Sequence, residues 1–361
     1  MLAAITIILV IGGLIFFHEL GHFLVARACG VGVSKFSLGL GPRLFGVTRH
    51  KTHYQVAAIP LGGYVMLVGE QDGESLPENF TQEESFSNHP VWQKLLIVAA
   101  GPLFNLLLAW LIAWGLLWHD GQTLIVPEIG TVQEGSPAEQ AGLAPGDLIL
   151  EIDGQKVSSW EKITPVIYNA KDRPLQVEVR RKTAFGTEDL TFTVTPVQHE
   201  TSNALGRTFK NWIIGISPAQ ELTLIEQNYG FFESAVLGAG KVWSYVEAIG
   251  QFLKDALTLK VEADSLVGPI GMGQLIGMSA ERGLSSVLEL TLFISINLAI
   301  LNLLPIPMLD GGHIVFFAVE LAIGRKLPDK FKEAALRVGL LLLLCLMGLA
   351  VFNDVAGLLN G

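Results

Sequence analysis

Four stretches of this 361-residue sequence are long and almost wholly apolar: Leu2 to about Cys29, about Leu95–Trp118, about Val287–Leu304 and about Ala334–Phe352. A hydrocarbon layer about 30 Å thick is crossed by roughly 20 residues of helix. Lipid offers no partner for a bare N–H or C=O, so each stretch is expected to be a spanning helix that satisfies its own backbone. Half of all residues are hydrophobic, which fits an integral membrane protein rather than a soluble one. The net charge of −10 gives no support for a nucleic-acid partner. Cys29 and Cys345 lie in or beside apolar runs and read as small hydrophobes, not as a disulfide or a metal site. The first stretch has no basic start and no convincing cleavage site, so it is read as a retained span.

Loop charge orients the spans. Arg27, Lys35, Arg43, Arg49 and Lys51 follow the first one with no acidic residue among them, and Arg325, Lys326, Lys330, Lys332 and Arg337 crowd the link between the third and fourth. The excess of basic residues in cytoplasmic loops puts both links inside, leaving both termini and the Asp120–Ser286 region outside. Phe231–Leu259 is apolar but interrupted by Glu233, Lys241, Glu247, Lys254 and Asp255, and reads as one or two amphipathic helices lying on the outer face. The expected division is a first membrane part over 1–118, an inserted domain over 119–217, a linker with surface helices over 218–286 and a second membrane part over 287–361.

Inside the first span stands Phe17-His18-Glu19-Leu20-Gly21-His22. On a helix His18 and His22 are one turn apart and project from one face, the spacing that lets two imidazoles hold one zinc, with Glu19 beside them to take a proton from water. His18 lies about 13 Å along the helix from Arg27, within the hydrocarbon, where ionisable groups are costly and mark function. Two histidines leave a zinc site short of one protein ligand. The third span ends in Asn302-Leu-Leu-Pro305-Ile-Pro307-Met-Leu-Asp310-Gly311-Gly312-His313, where the prolines stop a regular helix and Asp310 is the carboxylate in an otherwise apolar run. His313 is favoured as a polar neighbour and not a ligand, and His50 and His53 as ordinary interfacial residues. Asn105, in the second span after Gly101-Pro102, reads equally as an interhelical hydrogen-bonding group or as part of the site.

Residues Lys51–Gly69 are apolar, rich in β-formers and broken by Pro60, Gly62 and Gly63. A β-hairpin over about 51–69 that dips toward the membrane and offers an open edge fits them better than a helix. From Val126 the composition becomes that of a soluble domain. Ser136-Pro-Ala-Glu-Gln-Ala-Gly-Leu-Ala-Pro-Gly-Asp147, followed by Leu148-Ile-Leu-Glu-Ile-Asp-Gly-Gln155, resembles the signature of a bacterial PDZ domain. That likeness implies a β-rich α+β domain that adds a peptide strand to an edge, here expected at Ile129, Gly130, Thr131 and Val132. A PDZ fold used only as a spacer or size filter is an equal reading.

An HExxH in the first span, an N-x-x-P-x-P-x-L-D-G in a later one and a PDZ-like insert between spans two and three resemble the site-2 proteases, most closely the bacterial regulator-of-sigma-E branch. The resemblance implies a polytopic α-helical membrane protein of four spans with a membrane-associated β-hairpin and an extracytoplasmic PDZ domain, in the bacterial inner membrane. It implies one zinc per chain held by His18, His22 and Asp310, Glu19 as general base, and Asn302 in substrate binding. By the same likeness Tyr54, Pro60, Leu61, Gly62, Gly63 and Tyr64 belong to a hairpin that clamps unwound substrate. The implied partners are the bilayer, a peptide ligand of the PDZ domain and single-span membrane proteins already trimmed outside, such as an anti-sigma factor or signal-peptide remnants. One departure stands out: that branch carries two tandem PDZ domains, and this chain has room for one. A non-proteolytic scaffold would leave the HExxH and Asp310 without a task. A zinc or proton transporter needs polar steps across the whole membrane, and Leu2–Phe17 is almost wholly apolar.

Overall fold

The computed structural model describes residues 2–70, 75–184, 186–202, 208–219, 224–258 and 268–360. They form two compact units, Met1–Trp118 with Gly230–Gly361, and His119–Tyr229.

The first unit is helical. Four of its helices are long and apolar enough to cross a membrane, within α1 (Leu2–Ala28), α2 (Val91–His119), α7 (Leu284–Leu303) and α9 (Asp329–Asn360). Glycine and alanine set how closely the first pair cross: a Cβ on Gly21 would lie 2.4 Å from the Ala100 carbonyl oxygen. In lipid, where apolar surface alone does not drive helices together, such small-residue contacts and interhelical hydrogen bonds carry the association. Ser295 of α7 supplies one, donating to the Asn105 carbonyl at 2.8 Å.

Helix α5 (Phe231–Leu257) is not laid across one end of the bundle as the charge pattern suggests. Its start packs on α2, where Trp114 and Trp110 Nε1 donate to the Phe231 and Ala235 carbonyls, both at 2.9 Å. Farther on, Lys241 meets Glu289 and Tyr245 meets Phe293, at a constant offset from α7. Two helices in constant offset run side by side, and Val242, Ile249 and Leu253 form the apolar stripe that fills the groove between α2 and α7. Helix α6 (Pro269–Arg282) covers α1 through Ile276 against Val10 and Leu14. The Asp354 carboxylate of α9 accepts from the Gly268, Ile270 and Gly271 N–H groups, satisfying the start of α6.

Between α1 and α2 lie two long strands, β1 (Val33–Arg49) and β2 (Thr52–Leu67), joined by a turn at His50-Lys51. The hairpin therefore starts at Val33, well before the expected 51–69, and the basic residues of β1 disguise its strand character. Both strands fold back on themselves. Lys35–Leu38 faces His53–Val56 on one side and Gly63–Met66 on the other, while Arg43–Arg49 faces Thr52–Ala57. The result is a four-rung sheet with 63–67 along one edge.

The second unit has a four-stranded sheet in the order β6 (Gln155–Lys156), β5 (Leu148–Ile152), β7 (Leu175–Thr183), β8 (Gly186–Val194). Period-two burial in β7 puts Leu175, Val177 and Val179 in the core, against Ile163 and Ile167 of α4 (Ile163–Ala170). Helix α3 (Pro137–Ala141) is bounded by its sequence: Ser136 Oγ accepts from the Glu139 N–H, Pro137 opens the first turn and Gly142 closes it at φ 93°. The unit runs past the expected 217, because β12 (Leu224–Gln227) pairs with β3 (Gln122–Ile125) and returns the chain to where it entered.

Candidate active site

The two histidines project from α1 toward α2, and their Nε2 atoms lie 3.2 Å apart. Each ring is oriented by α2. His22 Nδ1 donates to the Ile97 carbonyl at 2.8 Å, which leaves its Nε2 with a lone pair. One turn on, Pro102 lacks the N–H that would pair with the neighbouring Val98 carbonyl, which loosens the helix ladder beside Ile97. His18 Nδ1 lies 3.2 Å from the fully buried Asn105 amide. With Nδ2 toward the ring, Asn105 Oδ1 is left buried without a partner among the described residues. Turning the amide by half a rotation lets Oδ1 accept from His18 Nδ1–H and frees His18 Nε2 as well. Asn105, left open between two roles by the sequence, thus contacts a candidate ligand directly.

The third donor comes from a sharp reversal. α7 ends at Leu303, Met308 adopts φ 145°, and α8 (Asp310–Ile323) starts at Asp310 itself. Gly311 and Gly312 permit the fold-back: a Cβ on Gly311 would lie 2.1 Å from the Leu304 carbonyl oxygen, and one on Gly312 2.5 Å from that of Ile306. Asp310 Oδ2 is thereby 3.2 Å from His18 Nε2 and Oδ1 3.6 Å from His22 Nε2. Donors about 2.0–2.1 Å from one tetrahedral zinc stand about 3.3 Å from each other, so two imidazoles and a carboxylate at these spacings fit that ion, with a fourth position open. Among the described residues this is the one group of three such side chains that converges.

Glu19 opens into the same cavity of about 390 Å³ as His18, His22 and Asp310. It shares that cavity with Val65, on the edge rung of the β1–β2 sheet. Tyr64 also lines the cavity, and a Cβ on Gly63 would lie 3.3 Å from Glu19 Cγ. Gly62 sits beside them at φ 121°, and Pro60 and Leu61 continue β2. Tyr54 does not join: its ring packs on Phe23 and Phe36. Asn302 is half-buried at the end of α7 and is not among the described residues lining the cavity. His313 lines the cavity without entering the converging trio, and His53 is engaged with Thr48 and Arg43 on the sheet. Sequence reasoning missed Gly101, whose Cβ would stand 2.3 Å from His22 Nε2, and the Ile97 carbonyl. A glycine one turn from an intramembrane asparagine was the signal for the first; a backbone atom gives none.

In the second unit the expected peptide edge is occupied. β4 (Ile129–Val132) pairs along one side with β11 (Ile216–Pro218). On the other, Ile129 N–H donates to the Asp147 carbonyl and its own carbonyl accepts from Gly146. An open groove of about 530 Å³ lies between α4 and the 212–217 segment, with Ile163, Ile167, Ile214 and Ile216 along it and Thr131 of β4 among its lining residues.

The model of peptidase family M50 matches residues 6–346. A protein of Agrobacterium fabrum provisionally named a zinc metalloprotease is 34% identical over 99% of this chain and 96% of its own length. Another of Campylobacter jejuni, named in the same way, is 36% identical over 98% and 93%. The regulator of sigma-E protease RseP of Salmonella typhimurium is 30% identical over 97% of this chain and 98% of its own length. That last alignment runs over 446 positions against 361 residues here, so at least 85 positions have no counterpart in this chain.

Proposed function

This chain belongs to peptidase family M50, the site-2 proteases, and is a multi-pass membrane zinc metalloprotease; from that premise we propose that it cuts single-span membrane proteins within or next to their transmembrane helix. The observation that carries the reading is the convergence of Asp310 with His18 and His22 in one cavity with Glu19, the last three on a helix apolar enough to cross a membrane. Zinc bound by the three side chains supplies Lewis acidity toward a scissile carbonyl and toward water. Glu19 accepts the proton of the attacking water and returns it to the departing amine. Ile97 and Asn105 keep the two imidazoles in the tautomer that can ligate.

A transmembrane helix hides its carbonyls in i→i−4 hydrogen bonds and must unwind before it can be cut. The 63–67 edge beside Glu19 is the natural place for unwound substrate to add as a strand, with Tyr64 against it. Asn302 would contact the substrate backbone beyond the cavity described. We read the second unit as a single PDZ domain outside the cytoplasm whose ligand lies in the α4 groove, and the bilayer as the bacterial inner membrane with both termini outside. End-to-end matches to relatives of nearly the same length support the single insert as this chain's own arrangement. Substrates trimmed beforehand, such as an anti-sigma factor, remain the favoured class on family likeness. The test is to reconstitute the protein with a tagged single-span substrate and map the cut by mass spectrometry. Cuts inside the apolar segment support the reading, and cuts confined to soluble flanks overturn it.

A further inference from the structure

The turn of the β1–β2 pair folds back against the end of α1 and leaves a groove of about 370 Å³ walled by Phe23, Leu24, Arg27, Arg49, His50 and Tyr54. Its charge is unbalanced. Among the described residues neither Arg27 nor Arg49 has a carboxylate within 4.0 Å, and Arg27 instead lies over the Phe23 ring at 5.9 Å. Glu84, which shares the neighbouring cleft with Arg27 and His50, is held by Lys51 at 2.8 Å. His50 and Lys51 both adopt positive φ, 45° and 68°, so the turn is tight and His50 is held at the groove.

The remaining wall is apolar. Phe23 and Leu24 lie one turn before the end of a helix that crosses the membrane, and Leu24 is 43% exposed. A small inorganic anion gains nothing from such a wall; a molecule carrying both a phosphodiester and an acyl chain uses all of it. We propose that this groove binds the headgroup phosphodiester of an anionic glycerophospholipid, with Arg27 and Arg49 as its charge partners and an acyl chain along Phe23 and Leu24. A basic residue at the bilayer surface strengthens binding to anionic lipid roughly fivefold, so the two arginines together contribute about 25-fold. Bridging α1 to the turn, the lipid steadies the sheet that presents Tyr64 and Val65 to the active cavity.

The test uses the full chain in zwitterionic nanodiscs titrated with phosphatidylglycerol, reading bound lipid by native mass spectrometry and checking zinc content in every sample. Parent and Arg43→Gln, a charge change elsewhere on the sheet, should retain the anionic lipid. The Arg27→Gln/Arg49→Gln pair should lose about 25-fold, and the Arg27→Lys/Arg49→Lys pair only a few-fold. If the double glutamine variant fails to hold zinc, Arg49→Gln alone should still show about a fivefold loss. Three results would overturn the assignment: glutamine variants that retain lipid like the parent, a parent that retains phosphatidylcholine equally well, or displacement by equimolar inorganic phosphate, which would make this a plain anion site.

Discussion

Alanine at position 101 places a methyl group 2.3 Å from His22 Nε2, 2.6 Å from its Cε1 and 2.8 Å from His18 Cε1. Ordinary contact begins near 3.4 Å, so the His22 ring must retreat by about 1.1 Å. Zinc ligand distances tolerate about 0.2 Å. The same retreat stretches the 2.8 Å bond from Nδ1 to the Ile97 carbonyl, so ligand and support are lost together. An imidazole at the end of its side chain can swing aside without unfolding α2, and the cost therefore falls on the metal and not on the fold. Gly101→Ala should melt near the parent and bind zinc at least about 100-fold more weakly, with cleavage falling in step. Gly115→Ala is the control on the same helix, since among the described residues nothing beyond its own stretch of helix lies within 4 Å of its Cβ. Zinc retained after dialysis against graded chelator gives the affinity. A Gly101→Ala protein that keeps zinc and activity within twofold of the parent would refute the packing argument.

Asn105→Ala removes the group that fixes the His18 tautomer, and zinc affinity by chelator competition should drop about 10–100-fold with the helices intact. In the second unit, fully buried Asp147 is paired with Arg181 at 2.6 Å and caps the Ala144 N–H. Arg181→Met leaves that carboxylate unpaired and should destabilise the unit by about 3–5 kcal/mol, read by hydrogen exchange of β5 and β7 in the intact protein. Glu84 is held below its ordinary value of 4.5, first by the Lys51 ammonium and then by the Thr81 N–H. A depressed carboxyl stabilises above its unfolded value and loses that contribution as pH falls through the folded one. Protection of the 80–88 amides, read as exchange relative to the intrinsic rate at each pH, should therefore fall as pH drops below about 4.5, and Glu84→Gln should remove that loss.

Much of the site was legible because its parts obey strong local rules. His18 and His22 are one helical turn apart, and Asp310 stands out as a carboxylate among apolar residues. What escaped notice depends on packing across elements. The strand character of Val33–Arg49 was hidden by basic residues that line a doubled-back sheet, and α8 was hidden by the prolines that precede it. The charges of α5 suggested a surface helix, but its Val242–Ile249–Leu253 stripe found a groove between α2 and α7. The Ile129–Val132 edge looked open because nothing nearby in sequence marks β11 as its partner.

If His18, His22 and Asp310 hold one zinc and Glu19 moves the proton, zinc content and substrate cleavage measured side by side will part company in Glu19→Gln, with about one zinc per chain in both proteins and cleavage by the parent alone. Cleavage by Glu19→Gln at the parent rate, or a parent that binds no zinc, would contradict that assignment.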